Sequence, residues 1–341
     1  MNGNRVTLKD IANETGYTAN TVSRAMRDDP HLSPETRKKI REAAERLGYI
    51  PNKMASTLRS GKSHVAAVIV NDLHNQHFCQ MLSKMDAELQ SAGYCLLILC
   101  MQLNEALAQQ LINTAISLSV DGILYFPHLK TQTPIESMLN NHMPFVLLDR
   151  RVQNFSADCV RCDDEQGGYL AGKCLAELGH KKYLYLSGLD ISSSQIDRIA
   201  GFRRAMAEYH IPEENIRIIP GEAAETALNR GQIADLLKPL DYTAVVSFRD
   251  ELAYPAVNAL REQGISVPED VSVISFDNLS GWNPNLERLT SIYAAESDVA
   301  SEGVKVLLER IRDPQLPVQT KILPVRIYNE KATVCAAKEL S

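Results

Sequence analysis

The sequence lacks the features of an exported or membrane-embedded chain. Its first ten residues, MNGNRVTLKD, contain no apolar run after a basic segment, so no secretory signal peptide is predicted. The longest apolar stretches, such as residues 95–101, are far shorter than the roughly 20 residues of a membrane-spanning helix. The 7 cysteines are an odd number, and without an export signal we expect free thiols. These absences predict a cytoplasmic protein without a membrane partner.

An overall excess of positive charge is also missing, since the formal net charge is -6. Taken whole, that value argues against a nucleic-acid-binding protein, but the charge is unevenly divided. Residues 1–63 carry 12 Lys or Arg and 7 Asp or Glu, a net of +5, whereas the remainder has a net of −11. With 341 residues, 45% of them hydrophobic, the chain is long enough for two or three globular domains. A basic head on an acidic body indicates two functions in one chain.

Three short helices are predicted in the basic head, residues 1–50. Thr7 can cap the first helix, which should end at Gly16, because glycine adopts the left-handed conformation at little cost. Thr18 can cap the second helix, and Ser33 followed by Pro34 marks the start of the third. Apolar residues recur at helical spacing in all three. A tight glycine turn between the first two helices is typical of a helix-turn-helix DNA-binding domain.

The outward face of the second helix predicts the contacts with DNA. The residues on this face are Ala19, Asn20, Ser23 and Arg24. Asn and Arg can form paired hydrogen bonds with adenine and guanine edges in the major groove. Residues placed to contact phosphates are Thr7, Thr18, Thr21 and His31. At this point an ordinary helical bundle with a polar surface is the alternative.

The motifs VTLKDIANETG, TVSRAM, SPETRKKIREAAERLGYIPN and ASTLRSG stand here in an order and spacing that resemble the lactose/galactose-repressor family. The resemblance implies a hinge helix in the linker, residues 51–63, in which Asn52, Ala55 and Leu58 contact DNA. Leu58 would enter the minor groove and kink the duplex. Such a short helix is marginal alone, so we expect it to form when two copies pack over DNA. Ala19 and Asn20 depart from the family's usual valine and alanine, so the variable operator bases stay open.

The acidic body, residues 64–341, alternates short apolar runs with amphipathic stretches. This rhythm predicts an α/β fold with parallel sheets in two lobes, including a helix over 226–237 and a last strand over 322–327. We expect an N-lobe of about 64–160 plus 291–320 and a C-lobe of about 161–290 plus 321–341. The arrangement resembles the two-lobe periplasmic-binding-protein fold that the family uses as its effector domain. Ligands of such sheets bind at the carboxyl ends of the strands.

The residues at those strand ends are candidates for binding an effector. Arg198, in the segment SQIDRIAGF, matches the family's ligand-binding arginine. The full candidate set is Asn75, Phe78, Asp149, Arg198, Phe248, Arg249, Asp277 and Trp282. Carboxylates and arginines can hold sugar hydroxyls, and aromatic rings can line the apolar side of a sugar. The alternatives are a helix cap at Asp149, a surface position for Arg198, and a subdomain edge covered by Trp282.

Arg249 departs from the neutral asparagine that the family usually has before this aspartate, Asp250. An arginine there adds a positive group that can bind an anion with two hydrogen bonds. We therefore expect an effector with a carboxylate or phosphate, such as a sugar acid or sugar phosphate. Alternatively, Arg249 pairs with a cleft acid such as Asp277, and the effector is a neutral sugar.

Several other functions are not supported by the sequence. Gly61-Lys62-Ser63 is not a phosphate-binding loop, since Ser56 stands where that motif needs glycine. The pair Cys159 and Cys162 lies in an extended run, where the two side chains face opposite ways. Histidines of the segment His74-Asn75-Gln76-His77 are better explained by a helix start than by a metal site. The first strand is followed by NDLHNQ, which has no glycine, so a dinucleotide site is not predicted.

The sequence therefore predicts a transcriptional repressor of carbohydrate-utilisation genes, without a metal or cofactor. It should bind a palindromic operator in double-stranded DNA as a homodimer and respond to a small-molecule effector in the cleft. No leucine heptad follows the last strand, which favours a dimer over a tetramer. Whether the effector releases DNA or strengthens binding stays open. The alternatives are a cytoplasmic sugar-binding protein and a sugar-acting enzyme.

Overall fold

A computed structural model describes residues 6–50, 61–102, 104–127, 133–152, 155–189, 192–294 and 298–338. The chain forms two compact units, Met1–Ser63 and His64–Ser341. Within the second unit, two sheets form two lobes. The predicted fold class, an α-helical head followed by a two-lobe α/β domain, is confirmed.

The head contains helices α1 (Leu8–Thr15), α2 (Ala19–Ala25) and α3 (Pro34–Arg46). The predicted starts are confirmed, since α2 begins after Thr18 and α3 after Ser33, and each cap side chain accepts a backbone N–H. Gly16 ends α1 in the left-handed conformation, at φ 77°. The apolar faces of the three helices form one small core, made of Ile11, Val22, Ala25, Ile40, Ala43 and Ala44.

The N-lobe sheet has the strand order β11-β5-β4-β3-β1-β2, and all its neighbouring strands are parallel. Its strands are β1 (Val65–Val70), β2 (Cys95–Cys100), β3 (Gly122–Tyr125), β4 (Phe145–Leu148), β5 (Cys159–Cys162) and β11 (Thr320–Leu323). Its helices are α4 (Gln76–Ser91), α5 (Glu105–Ser117), α6 (Thr133–Asn140) and α13 (Val299–Arg312). Apolar clusters on both faces of this sheet make it a buried middle layer.

The C-lobe sheet has the order β12-β10-β9-β8-β6-β7 and is parallel except where β12 pairs with β10. Its strands are β6 (Tyr183–Leu186), β7 (Ile216–Ile219), β8 (Ala244–Ser247), β9 (Ser272–Phe276), β10 (Thr290–Ala294) and β12 (Val325–Tyr328). Its helices are α7 (Asp164–Glu177), α8 (Ser193–Glu208), α9 (Gly221–Arg230), α10 (Ile233–Leu236), α11 (Asp250–Glu262) and α12 (Leu279–Trp282), with one 3-10 turn at Glu213–Asn215.

The chain passes between the lobes after β5, after β10 and after β11, so the lobe limits differ from those expected. Strand β10 belongs wholly to the C-lobe and β11 to the N-lobe, which moves the limits near 290 and 320 by about four residues. The single last strand predicted over 322–327 is wrong. Pro324 separates two strands in different sheets, since proline supplies no N–H to a ladder.

Two further differences concern helices. The helix predicted over 226–237 begins earlier, at Gly221, and stops at Arg230, because Gly231 adopts the left-handed conformation at φ 67°. A short separate helix, α10, follows it. Helix α6 was not expected from the sequence, and the extended run at 159–162 is the paired strand β5.

Candidate functional sites

The capping threonines of the head form the hydrogen bonds that begin its helices. The Asp10 carboxylate accepts from the backbone N–H and the hydroxyl of Thr7, both at 2.8 Å. The Thr18 hydroxyl oxygen accepts from the backbone N–H of Thr21 at 3.1 Å and lies 2.9 Å from its hydroxyl. These bonds fix the first turns of α1 and α2.

The polar face of α2 is accessible, as the sequence predicts. Asn20 is exposed, while Ala19, Ser23 and Arg24 are half-buried, and Val22 and Ala25 face the core. Arg24 is not a free cation, because its Nε donates to Asp29 Oδ2 at 2.7 Å. His31 is exposed in the turn before α3. The candidate hinge contacts Asn52, Ala55 and Leu58 lie outside the described residues.

Arg198, on α8, stands at the centre of a buried polar cluster. Its Nε donates to Asp164 Oδ1 at 2.7 Å and its Nη1 to the Phe248 carbonyl oxygen at 2.6 Å. Its Nη2 lies 3.9 Å from Asp277 Oδ1. The guanidinium carbon also stacks 4.2 Å from the ring centre of Phe276. Burial lowers the Arg198 pKa, but the surrounding carboxylates outweigh it and raise the pKa above the ordinary value, so the group stays charged.

Two of the strand-end aspartates adopt a left-handed backbone. Asp149, after β4, has φ 63°, and Asp277, after β9, has φ 92°. Such values are uncommon outside glycine and recur at functional sites. The Asp149 carbonyl oxygen accepts from the Ser194 hydroxyl at 3.1 Å, which joins the two lobes. The structure thus brings Asp149, Asp277 and Arg198 to the interlobe region.

Arg249 is paired with two glutamates. Its Nη1 and Nη2 donate to the two oxygens of Glu225, on α9, and its Nε donates to Glu251 Oε2 at 3.1 Å. The pairing anticipated with Asp277 is therefore made instead with Glu225 and Glu251. Glu251 Oε1 in turn accepts from the backbone N–H of Gln76 at 2.6 Å, at the start of α4 in the other lobe.

The remaining candidates have other surroundings. The Asn75 side chain caps α4 by accepting from the His77 N–H at 2.9 Å. Phe78 is buried and packs edge-on against Phe126, with ring centres 5.0 Å apart, so it belongs to the N-lobe core. Trp282 is 36% exposed, and Lys84 Nζ of α4 lies 5.3 Å from its ring centre. Trp282 thus covers part of the contact between the lobes, the alternative considered from the sequence.

Sequence reasoning missed several residues of the interlobe region. His77 is buried, with Nε2 4.0 Å from Asp149 Oδ2, and its ring meets Tyr293 edge-on at 5.6 Å. Asp250 accepts from the Ser291 hydroxyl at 2.9 Å and the Leu279 N–H at 2.8 Å. Burial, helped by Asp277, raises the pKa of Asp250 to about 7. The strand-end position of Asp250 was the only signal in the sequence.

Some buried polar atoms of this region have no hydrogen-bond partner among the described residues. They are the Ser192 hydroxyl, the Asn278 carbonyl oxygen of the side chain, and the Tyr293 hydroxyl. Ser192 precedes the α8 residues that contact the N-lobe, and Asn278 follows Asp277 directly. Buried polar groups are nearly always satisfied in folded proteins, so these three point to a polar molecule or water.

Metal binding finds no support in the described part of the chain, where no group of three or more His, Cys, Asp and Glu residues is arranged to hold an ion. His74 pairs with Asp72 at 3.0 Å. Cys159 and Cys162 pack into apolar clusters on opposite faces of the N-lobe sheet, as the extended run predicts. None of the described helices is both long and apolar enough to cross a bilayer.

Known proteins share both parts of this architecture. Residues 7–52 match the family model for bacterial regulatory proteins of the lacI family, and residues 173–333 match a periplasmic binding protein-like domain. The HTH-type transcriptional repressor PurR of Vibrio atlanticus is 30% identical over 311 residues, which cover 90% of this chain and 92% of that protein.

Solved structures agree with this relation. A LacI family transcriptional regulator from Enterococcus faecium with bound ribose has 27% identity and a TM-score of 0.70, covering 80% of this chain and 100% of its own. A lac repressor dimer bound to operator and the anti-inducer ONPF shares the fold, with a TM-score of 0.83 at 24% identity over 97% of this chain and 100% of its own. The chain belongs to the LacI family and is a DNA-binding transcriptional repressor, not an enzyme.

Proposed function

We propose that this repressor binds a palindromic operator as a homodimer in the cytoplasm and controls carbohydrate-utilisation genes through a sugar bound between its lobes. The observation that carries the effector proposal is the polar cluster around Arg198. Arg198 and Asp277 offer charged donors and acceptors, and Phe248 offers an apolar surface beside them. A sugar presents the same mixture of hydroxyls and apolar ring carbons.

The unpartnered buried groups support the same class of ligand. The Ser192 and Tyr293 hydroxyls can donate or accept, and the Asn278 oxygen can accept. A molecule with several hydroxyls can satisfy such groups at once, whereas an apolar ligand leaves them unpaired at a cost in free energy. The similar Enterococcus faecium regulator was solved with ribose, a compound of this class.

Among sugars, a neutral one is favoured over a sugar acid or sugar phosphate. Arg249 was the residue that suggested an anion, but its guanidinium already faces the carboxylates of Glu225 and Glu251. An anionic effector at Arg249 would have to displace those carboxylates or lie close to them. Binding of a neutral polyol requires neither change.

Dimerisation is supported by the edge of the N-lobe sheet. Strand β2 has the sequence CLLILC and lies at the edge, with Ile98 44% exposed. An apolar edge strand invites association with another chain, and a second copy would cover it. Closure of the lobes around a ligand would then change the separation of the two DNA-binding heads.

Two measurements test the proposal. A random duplex library enriched on the full-length protein should yield a palindrome, and sedimentation should give a dimer. A thermal-shift panel of neutral sugars, uronic acids and sugar phosphates should then identify stabilising compounds, which should change the Kd for that palindrome. Enrichment of no site would contradict operator binding, and stabilisation by anions alone would contradict the neutral effector. A stabilising sugar that leaves operator binding unchanged would favour the simple sugar-binding alternative.

A further inference from the structure

The arginine on the face of α2 that the sequence predicts to contact DNA is hydrogen-bonded to a carboxylate. Asp29, in the turn after this helix, accepts from Arg24 Nε through Oδ2 at 2.7 Å. Its other oxygen, Oδ1, accepts from the backbone N–H of His31 at 3.0 Å. The backbone N–H of Asp29 donates to the carbonyl oxygen of Arg24 at 3.2 Å. Asp29 is therefore fixed through both its backbone and its side chain.

This bond restricts which edge of the Arg24 guanidinium can meet DNA. A guanidinium is a planar fork, and the Asp29 contact occupies the Nε edge. The two Nη groups have no hydrogen-bond partner in the described part of the chain, and a pair of donors of this kind binds O6 and N7 of guanine. Arg24 lies one turn after Asn20, so the two residues share the exposed face of α2. Because Asp29 already restricts the Arg24 side chain, less conformational entropy is lost when Arg24 binds a base.

Asp29 also has an electrostatic cost for DNA binding. The hydrogen bonds from Arg24 and from the His31 amide lower the pKa of Asp29, so its carboxylate stays charged at neutral pH. Its side chain is 23% exposed, and a negative charge beside the reading helix repels phosphates. Removal of this charge should therefore strengthen binding to any DNA sequence. The orientation of Arg24 by Asp29 matters only for DNA in which Arg24 contacts its preferred base, whereas the repulsion of phosphates acts on every DNA sequence. The two effects can therefore be separated by experiment.

We propose that Asp29 is a positioning residue that sets the DNA sequence discrimination of this repressor by holding Arg24 in place. The inference rests on the proposed operator binding and adds a residue that does not itself contact a base. Asp29 lowers general affinity for DNA and raises the preference for the correct site.

The test compares two duplexes with the full-length protein and several variants. The probes are the palindrome enriched from the random library and a scrambled duplex of equal length and composition. For Asp29→Ala we expect the ratio of the two Kd values to fall about tenfold, the size expected when one paired base contact is lost. Binding to the scrambled duplex should become tighter, because a negative charge near the phosphates is removed. Asp29→Asn, which keeps one acceptor oxygen, should give an intermediate ratio.

Asp28→Ala is the matched control. It removes the same charge one residue away, but the Asp28 side chain pairs with Arg41 on α3, whereas that of Asp29 pairs with Arg24 on α2. This variant should keep the wild-type ratio. In an Arg24→Ala background, Asp29→Ala should leave the ratio unchanged, because the residue that it orients is gone.

Three results would overturn the proposal. The first is a wild-type ratio for Asp29→Ala, and the second is an equal fall of the ratio in Asp28→Ala. The third is loss of binding to both duplexes in Asp29→Ala and in Asp29→Asn, since such a loss indicates that Asp29 is needed for folding of the head. If the wild-type protein enriches no site, operator binding itself fails, which is a distinguishable outcome.

Discussion

The packing of α7 against α8 gives the sharpest test of the effector domain. The two helices approach so closely that backbone meets backbone at Gly168 and Gly201. A methyl group on Gly201 would overlap the Glu165 carbonyl oxygen and lie 2.7 Å from the Tyr169 nitrogen. A methyl group on Gly168 would in the same way overlap the carbonyl oxygen of Arg198. We therefore choose Gly201→Ala as the perturbation.

Two opposing terms decide the size of the effect. In an unobstructed helix, alanine stabilises by about 1 kcal/mol relative to glycine. Here the new atom meets backbone, which cannot rotate away, and overpacking of this kind costs about 3 kcal/mol. The net expectation is a loss of about 2 kcal/mol, which corresponds to a fall in Tm of roughly 4–8 °C.

The same change should weaken effector binding. Arg198 lies on α8 one turn before Gly201 and reaches Asp164 on α7 with a 2.7 Å hydrogen bond. Separation of the helices by even a fraction of an ångström lengthens this bond and moves the guanidinium. We expect the increase in Tm caused by a stabilising sugar to be smaller for Gly201→Ala than for the wild type. This loss comes in addition to the lower Tm of the variant without sugar.

The assay is thermal unfolding of the full chain followed by circular dichroism, with and without the sugar. Gly172→Ala, on the facing helix α7, is the control, because its methyl group would meet side-chain atoms, the nearest being Ala205 Cβ at 2.8 Å, and would not overlap backbone. This overlap is smaller than the one with backbone at Gly201, and the neighbouring Met206 side chain can turn away, so this variant should lose less stability and keep its response to sugar. A Gly201→Ala protein as stable as the wild type would refute the packing argument.

Three further predictions concern the polar groups between the lobes. Arg198→Lys removes the planar fork and should abolish the sugar-induced thermal shift, whereas retention of that shift would remove Arg198 from the effector site. Glu251→Gln weakens the hydrogen bond to the start of α4 and should raise the Kd for the sugar about two- to fivefold in titration calorimetry. The control Glu262→Gln, on the exposed side of the same helix, should leave this Kd unchanged. Because the folded-state pKa of Asp250 is raised from 3.8 to about 7, this group should make stability fall as pH rises from about 4 through 7. Asp250→Asn should remove that part of the Tm profile, and parallel profiles for the two proteins would contradict the assignment.

Local chemistry made much of the fold predictable. The head follows from capping residues such as Thr18 and Ser33 and from apolar spacing along each helix, all of which act within a few residues. The continuous apolar runs of the body likewise indicate parallel strands covered on both faces. The strand-end positions of Asp149 and Asp277 were predictable for the same reason, since a strand and its end are local features.

Contacts between distant segments were not predictable from one sequence. Glu225 lies 24 residues before Arg249 on a separate helix, and no local pattern connects the two. The same holds for Asp164 and Arg198, which are 34 residues apart, and for the last two strands, which adjoin in sequence but join different sheets.

The sequence by itself determined the family, the basic head and the acidic body, because those depend on residue types and their spacing. Only the tertiary structure decided which charges face one another. From the sequence, Arg249 was expected to bind an anionic effector or to pair with an acid such as Asp277. In the structure it pairs with Glu225 and Glu251, and Arg24 pairs with Asp29. The reason is that Coulomb energy depends on distance through space, which only the packing of the elements fixes.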